Sequence, residues 1–266
     1  SQFASKPFVN FFSLGVPTGP GAGEMPPGFS GRKPRQQPQG GTGRQAVVLH
    51  APSSPRAKGT DRIRRVVSEL KRSGQRIQLR VIHGRLHQEV QEALESSDFV
   101  IDQMYSDTPL AGFASEAASA GKAAVVGGYG LDRLRQFVAA DMVPVSHVCH
   151  PDYLAQAITD LIEDPERVKR LGDSAKSFVA SRWTYEQVAT RFLSLVQDKI
   201  PADWYLDPYE IVYVEGYGQP KAASKKRVRQ LVDNFGVDAL CVSHKPELLS
   251  ALLEFAFGSH RSLADE

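Results

Sequence analysis

Residues 45–74 read QAVVLHAPSSPRAKGTDRIRRVVSELKRSG. The opening run Ala46 to His50 is short, apolar and β-branched, which predicts a buried strand. Thr60 to Lys71 carries Ile63, Val66, Val67 and Leu70 at helical spacing, and Gly74 ends that helix. A strand feeding directly into a helix is the first unit of an α/β sheet, and the pattern repeats downstream. Ile77 to Ile82 reads as a second strand, Val90 to Leu94 as part of a helix and Phe99 to Ile101 as a third strand. Ala111 to Ala120 reads as a helix closed by Gly121, Ala123 to Val126 as a fourth strand and Val143 to Val148 as a fifth. Helices follow at Pro151 to Ile162, Pro165 to Ala180 and Thr184 to Gln197. The alternation predicts a Rossmann-like parallel sheet with helices on both faces.

Three regions follow from composition. In residues 1–44, Phe3, Phe8, Val9, Phe11, Phe12 and Leu14 are too apolar for a free tail, so this segment is expected to dock, on this chain or on a partner absent from it. Between Gly15 and Gly43, 15 of 29 residues are Gly or Pro, which predicts a linker. Residues 45–199 form the α/β domain. Residues 200–266 are an aromatic-rich appendage with Trp204, Tyr205, Tyr209, Tyr213 and Tyr217, a basic helix Lys221 to Asn234, a strand Val237 to Val242 and a helix Pro246 to Phe257.

The 266 residues carry 32 basic and 30 acidic side chains, a balance that argues against a nucleic-acid binder. No apolar run approaches the ~18 residues of a membrane span, and the longest, Leu248 to Phe257, contains Glu254. Two cysteines, Cys149 and Cys241, make no disulfide framework, and no signal peptide opens the chain, so the expected setting is cytoplasmic. The first residue is Ser1 rather than Met, which suggests a trimmed chain.

Two segments concentrate chemistry. HAPSSPRAKGTD, His50 to Asp61, leaves the carboxyl end of the first strand, where open α/β sheets bind ligands. Arg56 and Lys58 add two cations there, suited to a diphosphate, while Thr60 also fits an ordinary helix N-cap. DQMYSDTPLAGFASEAASAG, Asp102 to Gly121, follows the third strand. Its small residues Gly112, Ala114, Ala117, Ala118 and Ala120 permit close approach by backbone or ligand. Glu116, read in the first helical turn, could accept from both hydroxyls of a ribose or complement the helix dipole.

The order strand–HxPSS–R–KG–helix, then DxxxDQ, then a Gly and a Glu before small-x-small-Gly, resembles the donor-binding, carboxyl-terminal half of GT-B glycosyltransferases. It looks most like the large retaining group called family 4, over Gln45 to Gln197. The resemblance implies sugar transfer from a nucleotide-diphosphate sugar to an acceptor hydroxyl in polysaccharide or glycoconjugate synthesis, without a cofactor or bound metal. It implies diphosphate binding by Arg56 and Lys58, ribose binding by Glu116, and backbone N–H groups of Gly112 aimed at phosphate or sugar. Substrate contacts would also fall on His50, Ser53, Ser54, Gly59, Thr60, Gln103, Asp107 and Thr108, and His83 and Arg85 would lie near the base. A second family Glu, eight residues before the ribose Glu, is Thr108 here, with Asp107 beside it as a substitute. The acceptor half of the fold has no counterpart in residues 1–44, so it belongs to a missing domain or another chain. The stretch Trp183 to Leu206 corresponds to the helices that cross back to that half.

Other features read less sharply. Gly127-Gly128-Tyr129-Gly130 could line the donor pocket or make a turn. His147 and Cys149 share one strand face and His150 the other, which is poor geometry for a shared metal. The run Lys225, Lys226, Arg227 and Arg229 reads as a solvated helix face, or as a peripheral contact with anionic lipid. A nucleotide-sugar epimerase of the same architecture and a non-catalytic nucleotide- or sugar-binding module remain alternatives.

Overall fold

The computed structural model describes residues 8–9, 44–131, 133, 138–215 and 218–258. In chain order the elements are β1 (Phe8–Val9), β2 (Ala46–His50), α1 (Pro55–Lys58), α2 (Thr60–Arg72), β3 (Ile77–Val81), α3 (His87–Glu95), β4 (Phe99–Ile101) and α4 (Gly112–Ser119). They continue as β5 (Ala123–Gly127), β6 (His147–Cys149), α5 (Leu154–Glu163), α6 (Pro165–Arg182), α7 (Tyr185–Val196), β7 (Tyr205–Leu206), α8 (Lys221–Phe235) and α9 (Pro246–Phe257).

The main sheet has the order β3-β2-β4-β5-β6, and every pairing is parallel. The fold class expected from the alternation is the one observed. Both faces are covered, so successive residues of each strand are buried on opposite sides. Val48, Phe99, Ile101 and Val125 pack with Ile63 and Val67 of α2 and Ile158 and Leu161 of α5. Leu49, Val100, Ala124 and Val126 face Phe113 and Ala117 of α4 and Phe178 and Val179 of α6. The small residues of α4 serve this packing: Ala114, Ala117 and Ala118 lie in the core, and α4 lies directly against α6. At Gly172 of α6 an added Cβ would sit 2.2 Å from the carbonyl oxygen of Gly121. Only a glycine allows that approach.

The chain leaves β2 to form β3 on one side, then returns to form β4 on the other. The strand order therefore reverses between β2 and β4, and the crevice outside their carboxyl ends is the ligand position of such sheets.

Two expectations change outside the sheet, and one that was left open is decided for Phe8 and Val9. Val237 to Val242 is not a strand; Val237–Leu240 is one turn of 3-10 helix, closed by Cys241 at φ 54. Its N–H groups are satisfied locally, Ala239 donating to the Gly236 carbonyl and Cys241 to that of Asp238. A short apolar run fits strand and helix alike, and here no neighbouring strand takes it up. The helix expected at Pro151 is a 3-10 turn, Pro151–Tyr153, followed by α5. The amino-terminal segment does meet this chain: β1 pairs antiparallel with β7, Phe8 opposite Leu206 and Val9 opposite Tyr205. Phe3, Phe11, Phe12, Leu14, the Gly/Pro-rich linker and Tyr217 lie outside the described residues.

The basic run on α8 is only partly a solvated face. Lys221 and Lys225 lie over the Phe255 ring at 5.8 and 5.2 Å, and the Arg229 Nε donates to the Ala256 carbonyl. Lys226 and Arg227 are exposed. The appendage is tied to the crevice side of the sheet: Lys221 N–H donates to the Tyr129 hydroxyl at 3.0 Å and Gly218 N–H to the Tyr105 carbonyl at 3.3 Å. On α7, Tyr185, Phe192, Leu193 and Val196 are exposed. Among the described residues no helix is long and apolar enough to cross a membrane.

Candidate functional site

The crevice begins where β2 ends. His50 is fully buried, its Nδ1 2.7 Å from the Ile101 carbonyl and its Nε2 2.9 Å from the Thr60 hydroxyl. A carbonyl only accepts, so Nδ1 carries the proton and Nε2 accepts from Thr60. Burial holds the imidazole down at about 4. The ring is thus a neutral brace joining the ends of β2 and β4 to the start of α2. Both of its nitrogens, and the Thr60 hydroxyl, are committed to the protein. Thr60 is the first residue of α2 rather than its N-cap; Gly59 caps it.

Between them lies α1, a single turn started by Pro55 and closed by Gly59 at φ 78. A Cβ on Gly59 would come within 2.8 Å of Met104 Cβ, so a side chain is excluded there on both counts. The Gly59 N–H bonds back to the carbonyls of Arg56 and Pro55. Ser53, Ser54 and Arg56 are exposed. Lys58 turns inward instead: its Nζ lies 2.7 Å from Asp102 Oδ1, the carboxylate being fully buried and the lysine side chain 16% exposed. Asp102 is the first residue after β4, so this ion pair spans the point where strand order reverses.

Two further bonds fasten neighbouring segments. His83, exposed after β3, has Nδ1 2.8 Å from the Pro52 carbonyl. Glu116 on α4 accepts from Gln91 Nε2 of α3 at 3.1 Å, with His87 Nδ1 at 3.9 Å. The segments following β2, β3 and β4 are thereby stapled into one rim. Arg85 is exposed on the loop between β3 and α3.

Glu116 is not in the first helical turn. α4 starts at Gly112, so Glu116 is its fifth residue and shares a face with Gly112. Side chains tilt toward the helix amino terminus, which carries this carboxylate back over the first turn. Its side chain is 40% exposed. Burial raises its proton affinity first; nearby His87 opposes the shift and the Asp102 charge adds to it. Gly112 is exposed, and a Cβ there would meet nothing within 4 Å.

The loop after β4 is braced from within. Gln103 Nε2 donates to the carbonyls of Ser106 and Thr108 at 2.9 and 2.8 Å. Asp107 Oδ1 accepts the N–H groups of Tyr129 and Gly130 at 2.6 and 3.0 Å. Asp107 therefore holds the glycine-rich turn after β5 against this loop, and Thr108 lies half-buried beside it. Gly128 belongs to the same contact, since a Cβ would fall 2.2 Å from Asp107 Oδ1.

Among the described residues no group of three or more His, Cys, Asp or Glu side chains is placed to hold a metal. His147 contacts Arg167, Cys149 is buried in the core with its thiol pushed up to about 12, and His150 accepts from the Asp152 N–H. Sequence reading missed Asp102, Gln91 and His87 as parts of the rim. Position could have found the first, because it directly follows a strand at the order reversal; helical spacing pairs His87 with Gln91 on one face of α3.

Neither a protein-family model nor a curated protein sequence matches the chain. Among solved structures, it is similar to TarM at 14% identity and a TM-score of 0.43, covering 57% of this chain and 35% of TarM. S. aureus TarM in complex with fondaparinux, α-GlcNAc-glycerol and UDP gives 13% identity and a TM-score of 0.42, over 57% of this chain and 35% of that one. HepE from Anabaena in complex with UDP-glucose gives 15% identity and a TM-score of 0.40, over 58% of this chain and 49% of HepE. The chain thus spans between about a third and a half of those proteins.

Proposed function

We propose that this chain is the donor-binding part of a glycosyltransferase that takes a nucleotide-diphosphate sugar and delivers the sugar to an acceptor hydroxyl on a glycan or glycoconjugate. The observation that carries the reading is the stapled rim at the strand-order reversal. It joins the segment bearing Arg56 and Lys58 to Asp102 after β4, and the α4 face bearing Glu116 to α3. In this reading Arg56 forks onto phosphate oxygens and Lys58 offers the N–H groups that Asp102 leaves free. As the bond from sugar to diphosphate breaks, negative charge grows on the leaving phosphate, and Lys58, held by Asp102, together with Arg56 stabilises it without a bound metal. Glu116 accepts from the ribose hydroxyls. The acceptor comes from a domain or chain beyond the elements described.

Calorimetric titration with UDP and with uridine tests this. UDP is expected to bind, and Arg56→Ala to weaken it by roughly 10- to 150-fold, the worth of a charge-assisted bond, with uridine little changed. Equal losses for UDP and uridine, or no binding of any nucleoside diphosphate, would overturn the reading.

A further inference from the structure

We propose that Asp102 is a specificity-determining residue of this crevice: its buried charge cancels that of Lys58 and favours a doubly charged nucleotide sugar over the more highly charged free nucleoside diphosphate. The inference rests on the nucleotide-donor reading and adds to it the means of telling donor from spent product.

Arg56, Lys58, Asp102 and Glu116 are the charged groups of the rim that meet the donor in this reading. Lys58 and Asp102 form a pair at 2.7 Å, Arg56 is exposed with no ion-pair partner among the described residues, and Glu116 is partly exposed. The Asp102 charge is not dispersed by other bonds: its side chain has no exposure, and Oδ2 is buried without a hydrogen-bond partner. Its field extends beyond Lys58, acting on His50 and on Glu116.

An isolated buried carboxylate is costly, so its presence at the ligand edge of the sheet needs Lys58. Lys58 keeps two N–H groups for a phosphate, but any phosphate it binds lies within one side-chain length of a fixed negative charge. Each charge on the ligand then meets a repulsion that weakens binding by about three- to tenfold at such distances. A nucleotide sugar carries two phosphate charges. Once the sugar leaves, the terminal phosphate gains most of a third near pH 7, because its second ionisation falls near pH 6. The same carboxylate thus penalises the product more than the substrate, which speeds product release.

Asp102→Asn keeps the volume and an acceptor oxygen for Lys58 while removing the charge. Titration of the folded chain with UDP, UDP-glucose and uridine, checked by circular dichroism, reads the effect. UDP affinity is expected to rise in D102N by about three- to tenfold more than UDP-glucose affinity, with uridine unchanged. Inorganic pyrophosphate, a probe without a nucleoside, should gain as UDP does. Asp102→Ser serves where D102N does not fold. An unchanged ratio of UDP to UDP-glucose affinity, or equal weakening of both, overturns the inference and leaves Asp102 a structural partner of Lys58. Where the wild-type chain does not bind UDP, the same titrations are made with GDP, ADP and dTDP and their sugars; failure to bind any of them overturns the donor reading itself, a different result from binding with an unchanged ratio.

Discussion

Lowering the pH from 7 to 5 should cost this fold about 2 kcal/mol through His50 alone. The imidazole titrates at about 4 in the folded chain against 6.5 in the unfolded one, because it is buried between Ile101 and Thr60. In the window between those values the unfolded chain binds a proton that the folded chain refuses, so stability falls as pH falls. The full shift corresponds to about 3 kcal/mol, of which about 2 kcal/mol lies between pH 7 and pH 5. Other groups titrate in this range, so the measurement is a difference between wild type and His50→Gln, which has no proton to gain. Urea unfolding followed by fluorescence, to which the buried Trp183 contributes, gives both free energies. At pH 7 the variant should be less stable by about 1–3 kcal/mol, for the disturbed pair of buried hydrogen bonds. At pH 5 that gap should narrow by about 2 kcal/mol. A gap that stays constant with pH would show that His50 is not a buried neutral brace.

Gly59→Ala should destabilise more than Gly74→Ala. Both glycines have positive φ, 78 and 97, but only Gly59 has Met104 within 2.8 Å of a new Cβ. The left-handed conformation accounts for about 1–2 kcal/mol in each, and equal losses in melting experiments would remove the close approach as a cause. Wild type should prefer UDP over 2′-deoxy-UDP, and Glu116→Gln should shrink that preference with little change in melting temperature, since the helix-dipole effect fades beyond the first turn. An unchanged preference would take Glu116 out of the site.

Most of the sheet was legible because its signals are local; the last strand, expected at Val143 to Val148, is only His147–Cys149, where β5 takes up its pairing. Phe99–Ile101 is a three-residue apolar strand, and Pro246–Phe257 starts with a proline and stops before Gly258 at φ 85, so both boundaries stand in the text. The site was legible only as a neighbourhood. His50 and Lys58 look equally like ligand groups in the motif, yet one is sealed between Ile101 and Thr60 while the other is pinned at Asp102. Those partners lie 51, 10 and 44 residues away, and residue type alone does not announce such pairings. Asp107 shows the same ambiguity: a carboxylate one place from where the resemblance implies a sugar ligand spends one oxygen on the backbone of a glycine turn. The apolar run at Val237 failed for a different reason, since a strand exists only where a neighbour takes up its hydrogen bonds.

The bonds that staple the rim also decide whether a ligand must break them. His83 meets the Pro52 carbonyl, an acceptor that has no hydrogen to give a phosphate, so on the proposed reading that staple need not break when the phosphates bind. Lys58 gives one of its three N–H groups to Asp102 and keeps two. Glu116 receives Gln91 on Oε2, and a carboxylate has about four acceptor positions, so ribose hydroxyls can be accepted without displacing the glutamine. On the proposed reading the crevice is formed before a donor arrives, and binding affinity is not spent on dismantling it. The cost of this arrangement falls on Asp102, whose second oxygen is left buried without a hydrogen bond. Replacing the carboxylate by an amide removes a charge from the rim but leaves the mostly buried Lys58 ammonium without its partner, so anion affinity should rise while stability falls. Opposite signs for stability and anion affinity in Asp102→Asn would separate the two things this carboxylate does, holding Lys58 in place and setting the charge beside the phosphates.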